Sequence, residues 1–396
     1  MDIRERLHEQ VWSRFVRMPQ GHLLDYADGE GKTPIPTAEE CARAMPNALG
    51  WWTPIENGAF FGGLYAWGLI GKYEREPDER TAREIRILIS GLENLQDVAK
   101  VDGFIARGVA DDNVSHYPFS SEDQVVPWVL AMNAYRQCSL CQDPEAIRQR
   151  LLRTLRPMRE NGWRVLTDVE GMLLGSWERS CSWRACAKLL YCARVYYDLT
   201  GEPEDLRHYE ALRDSVPEQW PLTRKETLAS GFAHDMVQNH SLVQSWIFVA
   251  SHLGILELSR MDPENSPFYL EAARQDGITS FRMIDEMKKY DNGTDGFDYN
   301  WRRLEPYWKP LGNNAGEAIA NAGAMGGVWS AEVVPHRRME HNILGFPLFY
   351  GWMALTCGDA RIEALARKKL WENIPTVQWE TLHLCYAFVA ETVLNI

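Results

Sequence analysis

Residues 102–124, DGFIARGVADDNVSHYPFSSEDQ, hold Asp102, Asp111, Asp112, Glu122 and Asp123 beside Arg107, His116, Tyr117 and Gln124. The segment joins two stretches of helical apolar spacing, so a connection carries an unusual load of groups able to bind or move protons. Two carboxylates flanking an acetal bond can cleave it: one protonates the leaving oxygen while the other activates water or steadies the positive charge. Asp123 and Asp102 are the candidates for that pair, and Asp111-Asp112-Asn113 reads as a solvated loop tip. Apolar Phe104, Ile105, Val109 and Phe119 surround Arg107 and His116, which are expected to fold inward. A plainer role competes. Ser120-x-x-Asp123 and Ser121-x-x-Gln124 both match the capping box, in which Asp123 or Gln124 does no more than start a helix.

Other connections share this make-up. GWWTPIEN (50–57) brings Trp52 and Glu56, and GSWERSCSW (175–183) sets Glu178 between Trp177 and Trp183, an apolar setting that suits a proton donor. GFAHDMVQNHS (231–241) holds Asn239 and His240, the irregular 295–317 region holds Tyr299, Arg302 and Tyr307, and PHRRMEHN (335–342) holds Glu340 and His341. A purely structural role is open to each: Glu56 as a helix cap, His240 as a buried structural imidazole, 295–308 as a packed aromatic loop. With sixteen Trp in the chain, core filling must account for most of them; those in connections, Trp52 and Trp177 among them, are candidate platforms for sugar rings.

The elements that position these residues read as helices. IENGAFFGGLYAWGLIGKY (55–73) is apolar nearly all round, whereas 79–100 places Ile85, Leu88, Ile89, Leu92 and Leu95 on one stripe. The alternation repeats at 125–135 and 145–158, 183–199 and 203–213, 242–258 and 267–290, 343–357 and 360–371, with a last helix near 376–395. An inner ring of apolar helices enclosed by an outer ring of amphipathic ones is the economical packing for about six such hairpins. The expected fold is therefore all-α, a single (α/α)6 toroid over 1–396, with 291–337 as a long loop carrying short helices. In that architecture the connections leading to inner helices gather at one mouth, where helix N-termini offer free N–H groups.

A net charge of −13 without a basic run argues against nucleic acid and anionic membranes as partners, and no apolar run reaches membrane-spanning length. The opening residues are charged and amphipathic, so a cytoplasmic location is the default expectation. Eight cysteines, mostly inside apolar helical patterns, are expected as buried thiols. Cys138-x-x-Cys141 lacks the second pair or His that a zinc site requires, and neither metal nor cofactor is expected.

The hairpin series with its Trp-, His- and carboxylate-rich connections resembles the six-hairpin glycosidase group, unsaturated glucuronyl hydrolases included, over most of the chain. The resemblance implies a pair of Asp residues at inner-helix starts, with Asp102 and Asp123 the positional counterparts. Gln238-Asn239-His240-Ser241 and Asp295-Gly296…Arg302…Tyr307 are in turn similar to motifs of all-helical alginate lyases, with Gln in place of the first Asn. The leading expectation is a glycoside hydrolase acting on an oligosaccharide, uronic-acid-containing ones included: Asp123 as acid, Asp102 as partner, Glu178 as substitute for either. Trp52, Glu56, Arg107, His116, Tyr117, Gln124, Trp177, Asn239, Arg302 and His341 are the expected sugar-binding residues. The alternatives are a uronate lyase, in which Asn239 and Arg302 neutralise the carboxylate and His240 or Tyr307 takes the C5 proton, and a sugar epimerase using His240 and His341. A non-catalytic sugar-binding protein is the remaining class.

Overall fold

The computed structural model describes residues 2–46, 53–218, 220–233, 245–284, 297–332 and 340–396. It is predominantly helical, and its described strands form two small antiparallel hairpins: β1 (Val16–Arg17) with β2 (His22–Leu23), and β3 (Val165–Leu166) with β4 (Leu173–Leu174). The helices are α1 (Ile3–Gln10), α2 (Ala38–Ala42), α3 (Gly58–Arg75), α4 (Glu79–Asp97), α5 (Glu122–Gln137), α6 (Pro144–Glu160), α7 (Trp183–Thr200), α8 (Pro203–Asp214) and α9 (Arg224–Ala229). They continue with α10 (Ser245–Met261), α11 (Ser266–Met283), α12 (Ala315–Glu332), α13 (Phe346–Leu355), α14 (Ala360–Asn373) and α15 (Ala387–Asn395).

Local chemistry explains the boundaries. Asp78, Asp143 and Ser182 cap α4, α6 and α7 by accepting from Thr81, Ala146 and Ala185 backbone N–H groups. Gly201 ends α7 at φ 67°, a left-handed conformation that costs glycine little. The predicted difference in character holds: α3 buries residues around its whole girth, and α4 buries Ile85, Leu88, Ile89, Leu92 and Leu95 on one stripe. Each apolar helix packs on its amphipathic successor, α3 on α4, α5 on α6, α7 on α8, α10 on α11 and α13 on α14. The apolar helices also touch one another: α3 meets α5 and α15, α7 meets α10, and α13 meets α10 and α15. Gly63 lets α3 approach α5 closely, since a Cβ there would sit 2.5 Å from the Pro127 carbonyl oxygen.

Two expectations are corrected. The region expected as a long loop carrying short helices contains the 18-residue α12, whose many alanines and glycines give little apolar contrast between its faces. The last helix begins at Ala387 rather than near 376; Pro375 and two 3-10 turns, Ile374–Thr376 and Trp379–Thr381, occupy the difference. Among the described residues the tryptophans are mainly core, with Trp128, Trp163, Trp177, Trp183, Trp301, Trp352 and Trp379 fully buried. All eight cysteines are free thiols, and Cys141 alone is not buried.

A buried charge cluster locks α1 to the body. His8 Nδ1 lies 3.0 Å from Glu391 on α15, and its Nε2 lies 3.1 Å from Glu84 on α4. Tyr65 of α3 donates to the other Glu391 oxygen at 2.7 Å. Burial disfavours the charged imidazole, but the two carboxylates overcome it and raise its pKa to about 9 from 6.5. The charged form therefore stabilises the fold fully below pH 6.5, and that contribution is lost as pH rises through about 9. His8→Gln should cost about 3 kcal/mol at neutral pH, because it leaves buried Glu391 without its cation and Glu84 with Arg80 alone. Denaturant unfolding across pH checks this: the gap between variant and wild type should close above pH 9.

Candidate functional site

The site grows from Asp25, an acid inside the apolar run HLLDYA and wholly buried behind β2. One of its oxygens accepts from the Asn57 backbone N–H at 2.9 Å and the other from the Asn57 amide at 2.6 Å. Asn57 Oδ1 accepts in turn from Gln124 Nε2 at 3.0 Å, and Gln124 Oε1 accepts from the Phe60 N–H at 3.0 Å. Phe60 is in the first turn of α3, where N–H groups lack helical partners; here the side chain of the next apolar helix supplies one. Main-chain bonds extend the network, from Asp25 N–H to Pro54, from Cys385 N–H to Asp25 and from Ala59 N–H to Arg107. The starts of α3, α5 and α15 are thus held together.

A second chain runs alongside. Glu56 is buried and accepts from Thr53 N–H and Oγ1 at 3.2 and 3.0 Å. Burial pushes its carboxyl up to about 8 against the pull of Arg107, with the charge of Asp25 adding to the rise. Arg107, itself buried, reaches the Glu56 carbonyl at 3.3 Å and its carboxyl at 3.4 Å, and donates to Ser121 Oγ at 2.8 Å. A guanidinium only donates, so Ser121 accepts from it and turns its own hydrogen to Asp123 Oδ1. Neither expected capping box forms: Ser121 occupies the N-cap of α5 without capping it, and the Gln124 side chain faces α3. Asp123 is half-buried, and its second oxygen has no hydrogen bond among the described residues. Next to it, Glu122 pairs at 3.0 Å with Lys188, a wholly buried lysine of α7.

A third group lies before α13 and α15. Glu340 accepts from the His383 and Leu384 N–H groups at 3.0 and 2.8 Å; burial raises its pKa to about 7 despite those bonds. His341 Nδ1 is hydrogen-bonded to the Tyr386 hydroxyl and His383 Nδ1 to that of Tyr299, giving two His–Tyr pairs.

Of the residues expected from sequence, Glu56, Arg107, Asp123 and Gln124 come together. Tyr117 is buried and donates to Met45 at 3.3 Å, and Arg302 is clamped by both Glu40 oxygens at 2.6 and 2.8 Å, so its charge is already matched. Four residues go elsewhere. Asp102 is exposed and bound to Arg153 of α6 at 2.7 Å, and His116 braces Asp168 at 2.9 Å. Glu178 faces His208 on α8 at 3.7 Å, and Tyr307 is half exposed. Trp177 is buried to 2 % and offers no face to a sugar, a correction whose cause is core packing. Trp52, Asn239 and His240 lie outside the described residues. Sequence reasoning missed Asp25, His383 and Tyr386. The available signal was a polar residue inside an apolar run, in HLLDYA and LHLCYAF. Among the described residues no cluster of His, Cys, Asp or Glu has the arrangement of a metal site.

No protein-family model matches the chain, and no curated protein or solved structure matches it.

Because Glu56 needs no charge near neutrality, Glu56→Gln should leave the unfolding free energy within about 1 kcal/mol at pH 7. Arg107→Ala removes the donor shared by the Glu56 carbonyl and Ser121 Oγ, and should cost about 2 kcal/mol in the same denaturant titration.

Proposed function

We propose that the chain is a glycoside hydrolase acting on an oligosaccharide, built as an (α/α)6 toroid with its site at the mouth where the inner helices begin. In this reading α3, α5, α7, α10, α13 and α15 form the inner ring, and α4, α6, α8, α11, α14 and α1 the outer. What supports the toroid is the succession of neighbours: α3 packs on α5, α5 on α7, α7 on α10, α10 on α13, α13 on α15, and α15 again on α3. The packing of α1 on α15 supplies the sixth outer helix.

The observation that carries the reaction is the state of Asp123. Its first oxygen is fixed by a serine that a buried arginine orients, while the second is unclaimed among the described residues and the side chain is only half-buried. A carboxyl so held can protonate the leaving oxygen as the anomeric C–O bond breaks, and recover a proton from the water that adds to the anomeric carbon. Arg107 acts as a positioning residue through Ser121, and Glu56 fixes Arg107. Asp102 is not part of this proposal, since its carboxylate is spent on a surface ion pair with Arg153. Asp123→Asn should lower turnover of a cleaved oligosaccharide by about a hundredfold or more with the unfolding midpoint unchanged, as measured by release of reducing ends. Full activity in that variant sinks the assignment.

A second reading, β-elimination from a uronate, is favoured by the two His–Tyr pairs before α13 and α15. Tyr299 or Tyr386, rather than the exposed Tyr307, would then move the proton. An unsaturated product absorbs near the ultraviolet edge, whereas hydrolysis leaves no such chromophore.

A further inference from the structure

A cleft of about 670 Å³ opens between α1 and α4, with His8, Glu9, Trp12, Arg80, Arg83 and Glu84 among its lining residues. It is remote from Asp123. Since α3 and α4 form a hairpin, Arg83 and Glu84 lie near the end of α4 that adjoins the C-terminus of α3, roughly 20 Å along the helix from the connection that carries Arg107. The backbone here departs from regular helix: α1 runs into a π-helical turn, Val11–Phe15, that carries Trp12 into the cleft. Such turns recur at functional sites because they re-aim side chains.

Three groups in the cleft have chemistry left to use. Glu84 is buried, and both His8 and Arg80 converge on its Oε1, at 3.1 and 3.2 Å; Oε2 is buried with no hydrogen-bond partner. A buried carboxylate oxygen without a donor is costly, and a ligand hydroxyl would satisfy it. Arg83 is exposed and, among the described residues, has no carboxylate within ion-pairing distance, unlike Arg80, which holds Glu5 at 2.9 Å. Trp12 is only partly buried; its indole N–H is used on Tyr65 at 3.0 Å, which fixes the ring. A ring so fixed presents apolar surface suited to the C–H face of a pyranose.

We propose that this cleft is a second saccharide site that takes a uronic acid residue: hydroxyls to Glu84, the sugar face to Trp12 and the carboxylate to Arg83. Arg83 is the cation left for that carboxylate, since His8 is paired with Glu84 and Glu391 and Arg80 with Glu5 and Glu84. The site rests on the cleft alone and stands whether or not Asp123 cuts a glycosidic bond.

Ligand-detected NMR titration of the full chain with D-glucuronate, and with D-glucose as the neutral counterpart, tests it. Wild type should bind D-glucuronate saturably. Arg83→Ala, an exposed change that leaves the fold intact, should weaken D-glucuronate about tenfold and leave D-glucose unaltered. Glu84→Gln should weaken both sugars, and Asp123→Asn should change neither. The proposal is overturned if D-glucuronate shows no saturable binding, if Arg83→Ala binds it as wild type does, or if Asp123→Asn abolishes the binding.

Discussion

The buried carboxylate of Asp25 is the constraint around which the described lead-in segments are arranged. An ionised carboxylate withdrawn from water is tolerable only when its oxygens are matched by donors. Asn57 supplies a donor to each oxygen, its own amide oxygen is satisfied by Gln124, and the Gln124 oxygen in turn serves Phe60 N–H. Each link leaves a demand that the next one meets. Loss of any member strands a buried polar group, at about 1–3 kcal/mol, so the starts of α3 and α5 are set as a unit. The backbone bond from Cys385 to Asp25 brings the last helix into the same frame.

That frame sorts carboxylates that look alike in sequence. Asp102 and Asp123 stand in one connection, yet the first projects onto α6 and meets Arg153 in solvent, while the second sits over the first turn of α5 under the control of Ser121. Glu56 and Glu340 are drawn inside, where burial pushes both towards neutrality near physiological pH. Proximity to water and the identity of the neighbouring donor, not residue type, decide which acid keeps an oxygen free.

The N-terminal helix shows the same logic with opposite charge. His8 is held between Glu84 and Glu391, so one imidazolium joins α1, α4 and α15. Near the start of α4 the match is incomplete among the described residues: Glu84 keeps an unsatisfied oxygen and Arg83 an unmatched charge. Stability and unused binding capacity thus sit side by side in one cluster.

How much was legible depended on the range of the interaction concerned. Helices with strong periodicity, such as α4 and α6, were readable because the apolar stripe of each is written within one turn's spacing. The helix α12 was not readable, since alanine and glycine give little contrast between buried and exposed faces. Glu56, Arg107, Asp123 and Gln124 were recognisable as chemistry-bearing residues in lead-in segments, but their partnership was not. The sequence by itself determined the all-α class, the alternation of buried and amphipathic helices and the concentration of titratable groups in the connections, because these follow from local spacing and composition. Only the tertiary structure decided that Ser121 serves Asp123 instead of capping α5, that Asp102 belongs to Arg153 and that Asp25 ties the start of α3 to those of α5 and α15. Those outcomes turn on contacts between residues up to hundreds of positions apart, where burial and the supply of donors are set by packing and not by neighbours in the chain.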